Sequence, residues 1–148
     1  MRALGIDPGT RRVGVALSDE DGLFASPLCT LEVKGLSQLI AELGALAREH
    51  AVSVIVVGLP LRLDGSEGEA ARRARVLSER LAQSVAERSI RLELWDERLS
   101  TRAAERALRE GEVRGKQARQ VVDRVAAAVL LQSYLDARRA APAEDTDG

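Results

Sequence analysis

Cysteine and histidine are almost missing: Cys29 and His50 are the only ones in 148 residues. One cysteine closes no disulfide within the chain, which suits a reducing compartment, and we expect a cytoplasmic location. One histidine and one cysteine cannot make a zinc site between them. The shortage of histidine also argues against triad hydrolases. Aromatics are nearly as rare, with only Phe24, Trp95 and Tyr134. Binding of single strands on stacked aromatic platforms is therefore not expected to dominate. No apolar run is long enough to span a bilayer, and the first residues do not read as a secretory leader. Lysine occurs only at Lys34 and Lys116. The remaining cations are arginines, and the net charge is −1, so overall charge announces no polyanionic partner.

What is present is an ordinary globular balance, 45% hydrophobic and 30% charged. At this length it predicts one domain with a sizeable core. Residues 2–7 and 12–18 read as two strands of a hairpin, and 24–33 as a third strand that Pro27 places at an edge. Leu36 to Ala47 repeats at helical spacing. The β-branched run 52–58 has the pattern of a strand buried on both faces. Ser66-Glu67-Gly68-Glu69 has the form of a capping box and predicts a helix to about Glu87. Residues 90–95 alternate as a strand with one exposed face. Helices are predicted over 101–110 and 117–137, with a disordered acidic tail over 141–148. This order makes a mixed five-stranded α/β sheet with helices on both faces, over residues 1–140. Its first and fourth strands are central and parallel, and ligands gather outside the carboxyl ends of such strands.

Asp7 stands at one of those ends, before a Pro8-Gly9 turn. The turn needs Pro-Gly, but the strand does not need an acid, because strands are depleted in Asp. Asp123 has Ala126, Ala127, Leu130 and Tyr134 on its helix face, so a carboxylate lies among apolar neighbours. A buried acid must find a cation or become neutral. The plainer reading is an ion pair with Arg119 or Arg124. Glu97 ends the fifth strand beside Asp96. The two point to opposite sides, and the sequence does not decide which faces Asp7. Three converging carboxylates without His or Cys suit Mg²⁺ or Mn²⁺, and a pair of such ions performs in-line phosphoryl displacement.

Arg98, Arg102, Arg106 and Arg109 recur along one helix face. Arg114, Lys116 and Arg119 cluster before the last acid, and Arg11 and Arg12 follow the Pro-Gly turn. Each group can meet phosphates, which makes binding salt-dependent, or can be a solvated charged face.

Taken together, Gly5-Ile6-Asp7-Pro8-Gly9-Thr10-Arg11-Arg12-Val13-Gly14-Val15-Ala16, Val57-Gly58-Leu59-Pro60-Leu61, Asp96-Glu97-Arg98-Leu99-Ser100-Thr101 and Val122-Asp123-Arg124-Val125-Ala126-Ala127 resemble, in order, the motifs of the YqgF/RuvX family. The resemblance implies a ribonuclease H-like fold related to the junction resolvase RuvC. It implies a metal-dependent endonuclease that matures the 5′ end of pre-16S rRNA, with Asp7, Glu97 and Asp123 as metal-binding acids. Junction-resolving activity on branched DNA is also implied for the family, and resolvases act as symmetric dimers, so a homodimer is an open expectation. Two other classes compete. Asp7-Pro8-Gly9-Thr10 resembles the first phosphate loop of actin-like and sugar-kinase-like ATPases, but those enzymes need a second domain for which 148 residues leave no room. A non-catalytic RNA-binding factor gains nothing from three acids placed beside phosphate.

Overall fold

The computed structural model describes residues 1–100 and 115–140. Five strands form one sheet: β1 (Ala3–Asp7), β2 (Arg12–Ser18), β3 (Ala25–Glu32), β4 (Val54–Leu59) and β5 (Arg91–Asp96), in the order β3-β2-β1-β4-β5. The pairs β1–β2 and β2–β3 are antiparallel, while β1–β4 and β4–β5 are parallel. The hairpin, the edge position of β3 and the central parallel pair all follow the sequence pattern. At Pro27 the edge strand loses nothing by lacking an N–H.

Alternation along β1 sorts the two layers of the core. Leu4 and Ile6, with Val13, Val15, Ile55, Val57 and Leu59, meet α1 (Leu36–Glu49) and α2 (Glu69–Ser84) in a thick aliphatic layer that includes Leu43, Leu77 and Leu81. Ala3, Ala16, Val54 and Val56 face α3 (Lys116–Ala140), which answers with Ala127, Leu131, Tyr134 and Leu135. This second layer is thin where Gly5 and Gly14 of the sheet meet the helix. A Cβ on Gly5 would lie 2.8 Å from the Leu131 Cβ, and one on Gly14 would strike the Asp123 carbonyl oxygen. Glycine and alanine thus let α3 lie almost on the sheet, where larger residues would hold it off.

The capping box does not form. Gly68 is the N-cap of α2 and makes no side-chain cap bond. Ser66 turns back instead, its N–H and hydroxyl both donating to Asp64 Oδ1 at 2.9 and 2.7 Å, and Glu67 binds Arg75. Asp64 is two residues before Ser66 and closes its own turn, so it wins the local competition for that hydroxyl. The helix ends at Ser84, and Ala86–Arg88 forms a separate 3-10 turn before Ser89, which takes a left-handed backbone. Trp95 packs, half-buried, against the α3 layer: its Nε1 donates to Ser133 Oγ at 3.1 Å and its ring meets Tyr134 edge to face, 5.4 Å between centroids. The helix expected over 101–110 and the acidic tail lie outside the described residues. Among the described residues, no helix is long and apolar enough to cross a membrane.

The close approach at Gly14 gives a direct test. Gly14→Ala is expected to lower stability in urea denaturation by about 1–3 kcal/mol, the usual range for overpacking. Ala16→Gly, on the same face two residues away, removes packing without adding a clash and is expected to cost less.

Candidate functional site

The buried polar residues of the described chain are Asp7, Ser18, Ser78, Glu97 and Asp123, and the three acids among them are 1%, 8% and 4% exposed. Their elements explain why they share one region. Asp7 ends the central strand and alternates with Ile6, so it points to the α3 side. Its partner across the antiparallel ladder is Gly14, and Gly14 touches the backbone of Asp123. On its other flank, one step beyond the Ile6–Val57 pair, is Gly58. A Cβ at Gly58 would lie 2.9 Å from Glu97 Oε2 and 2.9 Å from Leu130 Cδ2. Asp7 is therefore bracketed by two glycines, and each opens onto another acid. A glycine inside a strand is a signal of close approach, and both glycines stand within the motifs quoted above.

The choice between Asp96 and Glu97 is also visible. Asp96 accepts from the Arg98 N–H at 2.9 Å, capping the turn Glu97–Leu99. It also takes the Arg98 guanidinium, with Nη2 to Oδ2 at 2.7 Å. The Arg98 side chain, followed by its backbone N–H and its charge, holds the Asp96 carboxyl below the usual range. Asp96 is thus committed to the turn, and Glu97 is the acid at Gly58. The same Arg98 reaches across to the Leu63 carbonyl at 3.4 Å and lies over Gly65, tying the β4–α2 loop to this turn.

Arg12, the first residue of β2, donates from Nε to Asp123 Oδ2. It replaces the partners expected from sequence, because they point elsewhere. Arg124 donates to Thr30 Oγ1 at 3.4 Å, and Arg119 is exposed. Lys116 pairs with Glu32 at 2.6 Å, which draws the Glu32 carboxyl down. Arg11 is exposed at the turn beside Asp7. Of the cations expected to meet nucleic acid, Arg11 and Arg119 face solvent, while Arg12, Arg98 and Lys116 are engaged with acids. Arg102 and Arg114 lie outside the described residues, as do Arg106 and Arg109. Among the described residues no three of His, Cys, Asp and Glu are gathered tightly enough to hold an ion as they stand. The three carboxylates surround one strand end without closing into a single group. A separate cavity of about 430 Å³ opens on the aliphatic side of the sheet, between Val13, Leu36, Pro60 and Leu77. Its walls also include Pro8, Gly9 and Thr10 of the turn that follows Asp7, and Arg72 and Arg73 of α2.

The family model of RuvX, described as Holliday junction resolvase, matches residues 1–137. The chain belongs to this family. A relative from Myxococcus xanthus, named "Putative pre-16S rRNA nuclease", is 46% identical over 139 residues, covering 94% of this chain and 90% of its own. One of the same name from Symbiobacterium thermophilum is 46% identical over 144 residues, covering 97% and 98%. RuvC of Thermus thermophilus, solved with a Holliday junction substrate, superposes with a TM-score of 0.61 at 18% identity over 95% of this chain and 96% of that one. The fowlpox virus Holliday junction resolvase does so at 0.51 and 13%, covering 93% and 99%. At these identities the likeness is one of fold, and it places this RuvX member in the ribonuclease H-like architecture expected from its motifs.

The Asp96–Arg98 pair yields a pH test with a definite sign. A carboxyl whose folded value is depressed adds stability above its ordinary value, and this is lost as pH falls through the depressed one. In Arg98→Ala the Asp96 carboxyl is expected to titrate at higher pH, read by carbon-detected NMR, and acid unfolding to begin at higher pH. An unchanged Asp96 titration would mean that the pair does not form in solution.

Proposed function

We propose that this RuvX chain is a divalent-metal-dependent endonuclease that cuts phosphodiester bonds of precursor 16S rRNA in the cytoplasm. One observation supports it most: three buried acidic residues lie around the carboxyl end of the central strand, the Glu97 carboxylate against Gly58 and the Asp123 backbone against Gly14. Oxygen donors of this kind, with no sulfur or imidazole among them, fit a hard cation such as Mg²⁺ or Mn²⁺. Such ions, when bound, supply Lewis-acid stabilisation of the phosphate and ease deprotonation of an attacking water.

The chain's own residues do the rest. Asp7, fixed by the central ladder, is the rigid donor between the other two. Glu97 and Asp123 approach from opposite flanks, on a short turn and on a helix. The Asp96–Arg98 clasp sets the direction of the Glu97 turn. The α3 layer excludes water from the site's floor. Arg11 and Arg119, exposed near the acids, steer and neutralise the phosphate backbone, with Arg102 and Arg114 as further candidates. Precursor rRNA is favoured by the names of the relatives at 46% identity. Branched DNA is the second reading, favoured by the description of the family model.

The test is cleavage of matched precursor RNA and four-way-junction DNA, with and without Mn²⁺ or Mg²⁺. Asp7→Asn, Glu97→Gln and Asp123→Asn are each expected to lower the rate by more than roughly 100-fold, above the 10–100-fold typical of groups that only support a metal ligand. Asp96→Asn is expected to cost far less. Circular dichroism should show all four folded. Full activity in Asp7→Asn would refute the metal assignment. Symmetric cutting of the junction in preference to RNA would move the substrate to branched DNA.

A further inference from the structure

Asp123 is an acid buried in a helix face whose neighbours Val122, Ala126 and Ala127 are also buried. An ionised carboxylate in that place needs a counter-charge, whether or not any ligand is present. The described residues place one basic group on it, the guanidinium of Arg12. That side chain is 23% exposed against 5% for Asp123, so it approaches from the solvent edge and is not walled in. It also leaves directly from the exposed turn Gly9-Thr10-Arg11. Of the other cations on α3, Arg124 bonds Thr30, Lys116 pairs with Glu32, and Arg119 faces solvent.

The geometry points to Arg12 as a stand-in cation: it occupies the Asp123 carboxylate oxygen that a divalent ion needs, and it must leave for that ion to bind. This rests on the metal-dependent reading above. A guanidinium and a divalent ion cannot share one carboxylate oxygen at contact distance without strong mutual repulsion, because both are cationic in a partly desolvated site. Arg12 therefore stabilises the metal-free fold and opposes loading of the metal. The two effects are one coupling seen from two sides, since whatever Arg12 adds to the metal-free state is subtracted from metal affinity. The same exchange accounts for acids that surround Asp7 but do not close into a ready ligand group among the described residues. Arg12 draws one of them to itself.

The experiment is Mn²⁺ titration of the full chain by calorimetry, without nucleic acid, on wild type, Arg12→Gln, Arg12→Lys and Asp7→Asn. Melting temperatures are taken with and without Mn²⁺. Arg12→Gln is expected to melt lower without metal, to bind Mn²⁺ on the order of 5-fold or more tightly, and to gain more melting temperature from it. Arg12→Lys, which keeps the charge but not the Nε–H, is expected to fall between. Should Arg12→Gln not fold, Arg12→Lys decides in its place: tighter binding than wild type supports the exchange. Equal or weaker Mn²⁺ binding in the deciding variant overturns it. If wild type binds Mn²⁺, Asp7→Asn does not, and the deciding variant equals wild type, the nuclease reading survives and the stand-in role falls. If neither wild type nor any Arg12 variant binds Mn²⁺, both fall.

Discussion

Everything around the site follows from one constraint, the burial of carboxylates at the end of a central β-strand. Asp7 is 1% exposed with paired strands on both sides, so it cannot turn toward solvent. A charge in that position is tolerated only if the surroundings bring polar or cationic groups to it. Backbone and side chain respond together. Glycine occupies the flanking position on each neighbouring strand, and small residues let α3 press against the sheet. Arginines then lock the two segments that carry the other acids: Arg12 on Asp123, and Arg98 on the turn of Glu97. Most of the polar bonding near the site balances negative charge and adds little packing.

The two faces of the sheet divide the labour. The α1–α2 side holds the large aliphatics, Leu4, Ile6, Leu43, Ile55 and Leu81, and supplies most of the apolar burial that makes a domain of this size stable. The α3 side holds the acids, with glycine and alanine on the strands and Leu131, Tyr134 and Leu135 on the helix. Energetic contributions and chemistry are thereby kept on separate layers that share only the strands.

Much of this was legible from residues alone. Alternation and β-branching marked the strands, Pro27 marked the edge, and out-of-place acids marked the site. Three features were not, each for a physical reason. Ser66 had two suitors, and the competition between a turn and a helix cap is decided by loop geometry. The partner of Asp123 is 111 positions away at Arg12, so no local spacing rule reaches it. The roles of Asp96 and Glu97 depended on which acid the Arg98 guanidinium could clasp, a matter of rotamers beyond strand alternation. Gly14 and Gly58 were readable in principle, because a glycine within a strand is itself a sign of close approach.

The thin α3 layer has a consequence for how such a chain changes over generations. On the aliphatic side, swaps between large side chains that conserve total volume are tolerated. On the other side Gly5, Gly14 and Gly58 abut Leu131, the Asp123 carbonyl and Glu97, so even one methyl displaces a helix or an acid. Those three glycines can shrink no further and cannot grow, so they are held in place. Sequence divergence should accumulate on one side of the sheet and stall on the other, giving a molecule whose two halves keep different evolutionary clocks.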